Sequence, residues 1–199
     1  MNSGTNAMAG TSPRCGSSHP CARRASPLLA LLATGLLIAI CCQAQTLTEP
    51  QLQARFLLNI ARFTEWPDGA LGGADDPLIL CALGAAEPLD GALLALDGAA
   101  AGSHRVIVRT GVTAEQAANC QLLFVPDGEL GRLPAVRDVI GRRPVLTVGE
   151  SEAALAAGAM IALRKSDGHP GLVVKVGAAR DCDLNFSPQL LNAAAEVLP

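Results

Sequence analysis

The sequence has no tyrosine, one tryptophan and four phenylalanines among 199 residues, so aromatic side chains make up only 3% of the chain. Half of the residues are nevertheless hydrophobic. This composition predicts a globular domain with an aliphatic core and excludes a disordered chain. The length allows one domain.

Residues that could carry catalysis or hold a metal are also scarce. After residue 44 the chain has two histidines, His104 and His169, and no closely spaced Cys or His pair, which argues against a metal site. It lacks the G-x-S-x-G and G-x-x-x-x-G-K-[ST] motifs, and Gly84-Ala85-Ala86 lacks the further glycines of a dinucleotide loop. We therefore predict no catalytic residues and no cofactor, and a degenerate α/β enzyme is the least favoured reading.

Residues 1–44 are predicted to be a secretory signal rather than part of the fold. A long segment with three arginines and no acid precedes an apolar run at 28–40, and Cys42-Gln43-Ala44 offers small residues for cleavage. Met8 is an alternative start. Two alternatives to cleavage remain: a membrane anchor, for which thirteen residues are short, and a lipoprotein site at Cys41 or Cys42.

Cleavage after Ala44 would remove three basic residues and no acidic ones, so the formal net charge would fall from −3 to −6. No basic stripe remains, which argues against nucleic-acid binding. We predict a periplasmic protein with a single α/β domain at 45–199.

Three cysteines remain after this cleavage: Cys81, Cys120 and Cys182. In the flavodoxin-like strand order 2-1-3-4-5, the strands at Cys81 and Cys120 are neighbours, so a disulfide is predicted; two buried free thiols are the alternative. Cys182 lies between Asp181 and Asp183, which should raise the pKa of its thiol. We expect it to be free, with intermolecular pairing as the alternative.

An amphipathic helix is predicted at 52–67, where half of the phenylalanines and the tryptophan lie. Thr48 and Gln51 form a T-x-x-Q capping box, and Pro67 sets the end. Leu52, Phe56, Leu57, Ile60, Ala61 and Phe63 fall on the apolar side.

Leu58 projects onto the polar side of this helix. One interpretation is a single exposed leucine. The other is a partner-binding surface formed by Leu58, Arg62, Glu65 and Trp66. On this second interpretation Leu58→Asp would weaken partner binding without unfolding the domain.

The rest of the chain alternates between strands and helices. Strands are predicted at 77–83, 105–109, 121–125 and 144–148, followed by a hairpin of 160–164 and 172–176 and a final helix capped by Ser187. This order predicts an α/β fold with a mostly parallel sheet, helices on both faces, an N-terminal amphipathic helix and a C-terminal β-hairpin plus helix. The hairpin would form an antiparallel edge.

Several motifs occur in a characteristic order. They are F-T-E-W-P at 63–67, P-L-I-L-C-A-L-G at 77–84, C-Q-L-L-F-V at 120–125, R-P-V-L-T-V-G-E-S at 143–151, G-A-M-I at 158–161, V-V-K-V at 173–176 and L-N-F-S-P-Q-L-L at 184–191. Together they resemble the YfiR-like family of periplasmic proteins over about 49–197. Leu58, Ala162 and Gly177 depart from the residues that are usual in that family.

The resemblance implies a non-enzymatic, redox-sensitive regulator with a disulfide between Cys81 and Cys120 and a tendency to form dimers. It implies that the protein binds the periplasmic domain of a membrane diguanylate cyclase and represses it. The alternative function is a periplasmic small-molecule binding protein that serves an outer-membrane receptor or sensor system, with a pocket near Gly84, Asp127 and Gly149.

Overall fold

The computed structural model describes residues 47–73, 75–166 and 169–199. The predicted signal segment 1–44 and the hairpin residues 167–168 lie outside the described residues. From Thr46 to Pro199 the chain forms one compact unit. Within the described ranges, no helix is both long enough and apolar enough to cross a membrane.

Helices and strands alternate along most of this unit, as predicted. In chain order the elements are α1 (Glu49–Arg62), β1 (Thr64–Glu65), β2 (Leu78–Leu83), α2 (Asp90–Leu94), β3 (Ala100–Ala101), β4 (His104–Val112), a first 3-10 helix (Glu115–Asn119), β5 (Leu122–Val125), a second 3-10 helix (Asp127–Arg132), α3 (Leu133–Ile140), β6 (Leu146–Gly149), α4 (Ala153–Ala157), β7 (Ile161–Ser166), β8 (His169–Lys175), α5 (Val176–Arg180), β9 (Asn185–Phe186), α6 (Pro188–Ala193) and β10 (Glu196–Leu198).

The main sheet has the order β10-β8-β7-β6-β5-β2-β4-β3. Its central strands, from β4 through β2, β5 and β6 to β7, are all parallel. The α/β fold, the mostly parallel sheet and the flavodoxin-like order are therefore confirmed. The antiparallel hairpin of β7 and β8 is also present, but β8 is not an edge, because β10 pairs with it in parallel.

The central strands bury both of their faces. In β2, Leu78, Leu80 and Ala82 contribute to one buried cluster, while Cys81 and Leu83 contribute to another on the opposite side. The alternation follows from the two-residue period of a strand. Helix α1 covers the first face and α3 covers the second, so helices lie on both faces as predicted.

Helix α1 begins as predicted but ends earlier. The side chain of Gln51 accepts a hydrogen bond from the backbone N–H of Thr48 at 3.0 Å, which completes the predicted capping box. The helix ends at Arg62, well before Pro67, and β1 pairs with β9. The predicted end was wrong because pairing with a distant strand, rather than the proline, decides where the helical hydrogen bonds stop.

The buried side of α1 also differs from the prediction. Its buried residues are Ala54, Leu57, Leu58, Ile60 and Ala61. Leu58 is only 8% exposed, whereas Phe63 is 39% exposed and Phe56 is half-buried. The buried residues Ala54, Leu57, Leu58 and Ala61 are spaced three and four positions apart, as expected for one face of a helix. In the sequence, the nearby aromatic residues made a different face look like the apolar one.

Candidate functional site

Three contacts hold the segment after α1, one to the end of the helix itself and two to β9 and the residue that follows it. The Thr64 hydroxyl donates to the carbonyl of Ile60 at 2.7 Å, and the backbone N–H of Ser187 donates to the carbonyl of Phe63 at 2.9 Å. Glu65 pairs with Asn185 across the two strands. These contacts fix Glu65 and Trp66 at the surface although the helix has ended.

The four residues of the predicted partner-binding surface do not lie on one surface. Leu58 is buried in the core, so the interpretation of this residue as exposed was wrong. Arg62 is exposed, but its Nε donates to the carbonyl of Ala100 at 2.8 Å and so ties α1 to β3. Only Glu65 and Trp66 stay together at the surface, and their role in binding stays a prediction.

Glu65 and Trp66 border a shallow cavity of about 330 Å³. Residues from the far end of the chain complete its wall: Arg180, Asp183 and Asn185. We call Glu65, Trp66, Arg180, Asp183 and Asn185 the Trp66 surface. It places an indole, a guanidinium and two carboxylates side by side, a mixture that suits a polar partner with an apolar anchor.

Two features mark the Trp66 surface as unusual. The indole Nε1 of Trp66 is buried and finds no hydrogen-bond partner within the described part of the chain, a state that costs about 1–3 kcal/mol. Asp183 has a φ of +58°, a conformation that Asp tolerates better than most residues. Such local costs are found at functional sites more often than elsewhere.

The sequence analysis missed Arg180, Asp183 and Asn185. They lie more than a hundred residues after Trp66, and only the pairing of β1 with β9 brings them close. A weak signal existed in Asp183-Leu184-Asn185-Phe186, where polar and apolar residues alternate as in a short half-buried strand. Nothing local indicated which strand it would pair with.

The predicted disulfide between Cys81 and Cys120 is present, with its two Cα atoms 6.0 Å apart. Cys81 lies in β2, and Cys120 ends the first 3-10 helix rather than standing within β5. The bridge therefore joins the sheet to the element that covers it. Both residues are buried, so a reductant reaches the bridge only when this cover opens.

Cys182 is free and buried, as expected. Burial raises the pKa of its thiol, and Asp181 and Asp183 raise it further, while Arg142 and Arg137 lower it. The predicted direction is thus confirmed, but the main cause is burial rather than the two acids. A thiol with a raised pKa is a poor nucleophile at neutral pH.

The carboxyl edge of the sheet, where the small-molecule alternative would place a pocket, is largely filled by the chain itself. A Cβ on Gly84 would stand 2.3 Å from the Glu129 carboxylate, so that side chain covers the glycine. Ser151 Oγ donates to Asp127 at 2.7 Å, and the Glu150 carboxylate accepts from the Asp127 N–H at 3.0 Å. Asp127 and Glu150 therefore act as turn residues.

A space of about 390 Å³ remains beside Asp127 and Glu150. Glu152 borders it and pairs with Arg164, which also donates to Glu196 at 2.6 Å. Among the residues that the structure describes, no group of three His, Cys, Asp or Glu side chains could hold a metal ion.

The chain is similar in fold to solved structures of low sequence identity. An ABC domain in complex with L-Trp from Streptococcus pneumoniae is 11% identical over 73% of this chain and 62% of that chain, with a TM-score of 0.50. A conserved domain protein from Vibrio cholerae O1 biovar El Tor is 12% identical over 76% of this chain and 60% of that chain, with a TM-score of 0.48. The chain thus spans less than two thirds of either, and the likeness to the ABC domain shows fold alone.

No curated protein matches the sequence. A family model described as YfiR/HmsC-like matches residues 50–195, which include nearly all of the described unit. This range contains both bridged cysteines and every residue of the Trp66 surface. The chain therefore belongs to the YfiR/HmsC-like family, which is known for regulation of diguanylate cyclase signalling.

Proposed function

We propose that the protein is a periplasmic repressor that binds the periplasmic domain of a membrane diguanylate cyclase and lowers the production of cyclic di-GMP. The family match over residues 50–195 is the observation that carries this proposal. At the carboxyl edge, where α/β enzymes usually hold substrate, the Glu129 side chain covers Gly84 and the Asp127 carboxylate accepts a hydrogen bond from Ser151. These contacts within the chain support a regulator rather than an enzyme.

Repression works through differential affinity. A protein that binds the inactive conformation of the cyclase more tightly than the active one shifts the population toward the inactive state. To move an equilibrium from mostly active to mostly inactive, the two affinities must differ by about 10⁴-fold. The repressor needs no catalytic group for this effect.

The Trp66 surface is the proposed contact. Trp66 offers a half-buried aromatic anchor, and Arg180 and Asp183 offer charges of both signs beside it. Tryptophan and arginine dominate the binding energy of many interfaces.

The disulfide supplies the proposed redox sensitivity. Loss of the bridge would free Cys120 and the first 3-10 helix from β2 and would lower the stability of the form that binds the cyclase. Oxidising conditions would then favour repression, and reduction would release the cyclase.

The proposed homodimer is tested by light scattering at several protein concentrations.

The first experiment is in-cell cross-linking of the tagged protein followed by mass spectrometry. Recovery of a membrane protein with a cytoplasmic cyclase domain supports the proposal. Recovery of only the protein itself or of an outer-membrane receptor contradicts it.

A second experiment compares Trp66→Ala and Arg180→Glu with Arg143→Glu, a change at an exposed arginine outside the Trp66 surface. We expect the first two to raise cellular cyclic di-GMP and to lose the cross-link, while Arg143→Glu behaves as wild type. Equal cyclic di-GMP in all three would remove the Trp66 surface as the contact.

A further inference from the structure

A cavity lies at the amino end of the parallel strands, opposite the carboxyl edge. Its volume is about 590 Å³, which is within the usual range for small-molecule sites. The end of α3, the starts of β6 and β7 and the turn after α5 form its wall. We call it the Arg137 cavity.

The floor of the Arg137 cavity is apolar. Ile140, Val145, Met160 and Cys182 line it and are each less than 10% exposed. Thr147 is the polar exception, and its hydroxyl already accepts a hydrogen bond from the Met160 backbone N–H at 3.1 Å. The part of a ligand that contacts this floor would therefore gain affinity from apolar contacts rather than from hydrogen bonds that it donates.

The rim of the Arg137 cavity carries two arginines that are not used by the fold. Arg137 and Arg142 form no ion pair within the part of the chain that the structure describes, where the paired arginines are Arg132 and Arg164. Both charges nevertheless act on Cys182, whose pKa they lower against the larger effect of burial. The two guanidinium groups thus lie close enough to the same apolar floor for their charges to act on a residue in it.

Gly158 lets Arg137 lie across the rim. A Cβ at Gly158 would stand 2.5 Å from an Nη atom of Arg137 and 2.9 Å from its Cδ. The absent side chain therefore leaves the space that the arginine occupies. The side chain of Arg137, although exposed, therefore lies against Gly158, which also lines the cavity.

Two acids limit the charge of an acceptable ligand. Asp138 and Asp181 also line the Arg137 cavity, so its four charged side chains carry no net charge. A polyphosphate would meet both carboxylates as well as both arginines, and like charges at close range are costly. A single carboxylate carries one negative charge, so it meets less of that repulsion and can still pair with the guanidinium groups.

We propose that the Arg137 cavity binds a small organic anion, with one carboxylate held by Arg137 and Arg142 and an apolar body against Ile140, Val145 and Met160. The site shares no residue with the Trp66 surface. The inference is therefore independent of the proposed repression, and either can fail without the other.

The first test needs no knowledge of the natural ligand. Cys182 in the full chain is modified with anionic 2-sulfonatoethyl methanethiosulfonate and, separately, with cationic 2-(trimethylammonium)ethyl methanethiosulfonate, and peptide-resolved mass spectrometry follows the rates. We expect the anionic reagent to be favoured in the wild type, and Arg137→Gln and Arg142→Gln each to reduce this preference several-fold. Arg143→Gln, at an exposed neighbour that does not line the cavity, is the control.

The second test measures binding of 3-phenylpropionate by calorimetry, with neutral 3-phenylpropanol and inorganic phosphate as comparisons. We expect 3-phenylpropionate to bind and to protect Cys182 from iodoacetamide, and each of Arg137→Gln and Arg142→Gln to weaken binding by about tenfold, as expected for one charged hydrogen bond.

Three results would overturn the proposal. They are no preference for the anionic reagent, equal binding of 3-phenylpropanol and 3-phenylpropionate, and no binding of 3-phenylpropionate up to about 10 mM, which corresponds to a negligible affinity. Because the three arginines are exposed, we expect all variants to keep the wild-type thermal midpoint, and each variant is checked for it.

Discussion

The two faces of the central sheet are covered in different ways. Helix α1 places five buried residues on one face, where they join the larger of the two main buried clusters. The opposite face carries a smaller cluster, covered by α3 and by the first 3-10 helix. That 3-10 helix buries only Ala117, but the bond between Cys120 and Cys81 attaches it to β2.

The difference shows two ways to hold a cover on a sheet. A fourteen-residue amphipathic helix such as α1 gains enough from burial of Leu57, Leu58 and Ile60 to stay in place without a covalent link. A five-residue 3-10 helix buries too little apolar area for that. A covalent bond offsets the missing burial, and it also makes this face the one that depends on redox conditions.

The largest expected effect comes from a charge on the packed face. Leu58→Asp would bury a carboxylate where Leu58 is now 8% exposed, at a cost of about 5 kcal/mol or more, which is comparable with the whole stability of a domain. We expect that unfolding in urea, monitored by circular dichroism, no longer shows a cooperative transition. This outcome replaces the prediction from the sequence that Leu58→Asp leaves the domain folded.

Phe63→Asp is the matched control, because Phe63 lies at the end of the same helix and is 39% exposed. Its unfolding free energy should change by less than about 1 kcal/mol. If Leu58→Asp unfolds at the same urea concentration as Phe63→Asp, Leu58 is not part of the core.

Removal of the disulfide tests the other face. The bridge closes a loop with a sequence separation of 39, for which the chain-entropy model gives about 4 kcal/mol. The double variant Cys81→Ala with Cys120→Ala should unfold at a lower urea concentration than the oxidised wild type. Reductant should lower the midpoint of the wild type and leave that of the double variant unchanged.

Cys182→Ala provides the control for this experiment, because Cys182 is the free cysteine of the described unit and packs on the α1 face. The urea midpoint of the Cys182→Ala variant should still fall when reductant is added, as in the wild type. A wild-type midpoint that is the same with and without reductant would show that the bridge adds nothing to stability.

A smaller effect is expected where α4 approaches the sheet. A Cβ on Gly149 would stand 2.0 Å from the Cβ of Ala154. The backbone or side chains would have to move to remove this clash, which lowers stability by about 1–3 kcal/mol. Gly149→Ala should lower the unfolding free energy by this amount. Gly128→Ala, where an added Cβ would meet nothing within 4 Å, should leave it nearly unchanged.

The smallest effect concerns the ion pairs that join α4 and β10 to β7. The hydrogen bond from Arg164 lowers the pKa of Glu152 below its ordinary value of 4.5. Its stabilising contribution is therefore complete above that value and disappears as the pH falls through the lowered pKa. Wild type and Glu152→Gln should differ in thermal midpoint at pH 7 and converge under acid conditions, and a constant difference would contradict the pairing.

The sequence predicted the order of the main elements because each element carries its own period. The apolar run of β2 and the Thr48 and Gln51 cap of α1 are local signals, and the structure confirms both. The pairing of Cys81 with Cys120 also followed, because the predicted strand order made the strands at these two cysteines neighbours.

The candidate site was predicted less well. The aromatic residues of the F-T-E-W-P segment suggested a buried helix end, but this segment leaves the helix and pairs with β9. Leu58 was assigned to the wrong side because Phe56 and Phe63 shifted the apparent apolar face. The Trp66 surface and the Arg137 cavity both combine residues from distant elements, so no local pattern predicted either.

The sequence by itself determined the α/β class, the elements that alternate along the chain and the resemblance to the YfiR-like family, because these depend on local periodicity and on motifs in order. Only the tertiary structure decided which side of α1 is buried, where that helix ends and which distant residues meet at Trp66 and Arg137. Those outcomes depend on pairing and packing between elements far apart in the chain, and their free energies outweigh the local preferences of a few residues.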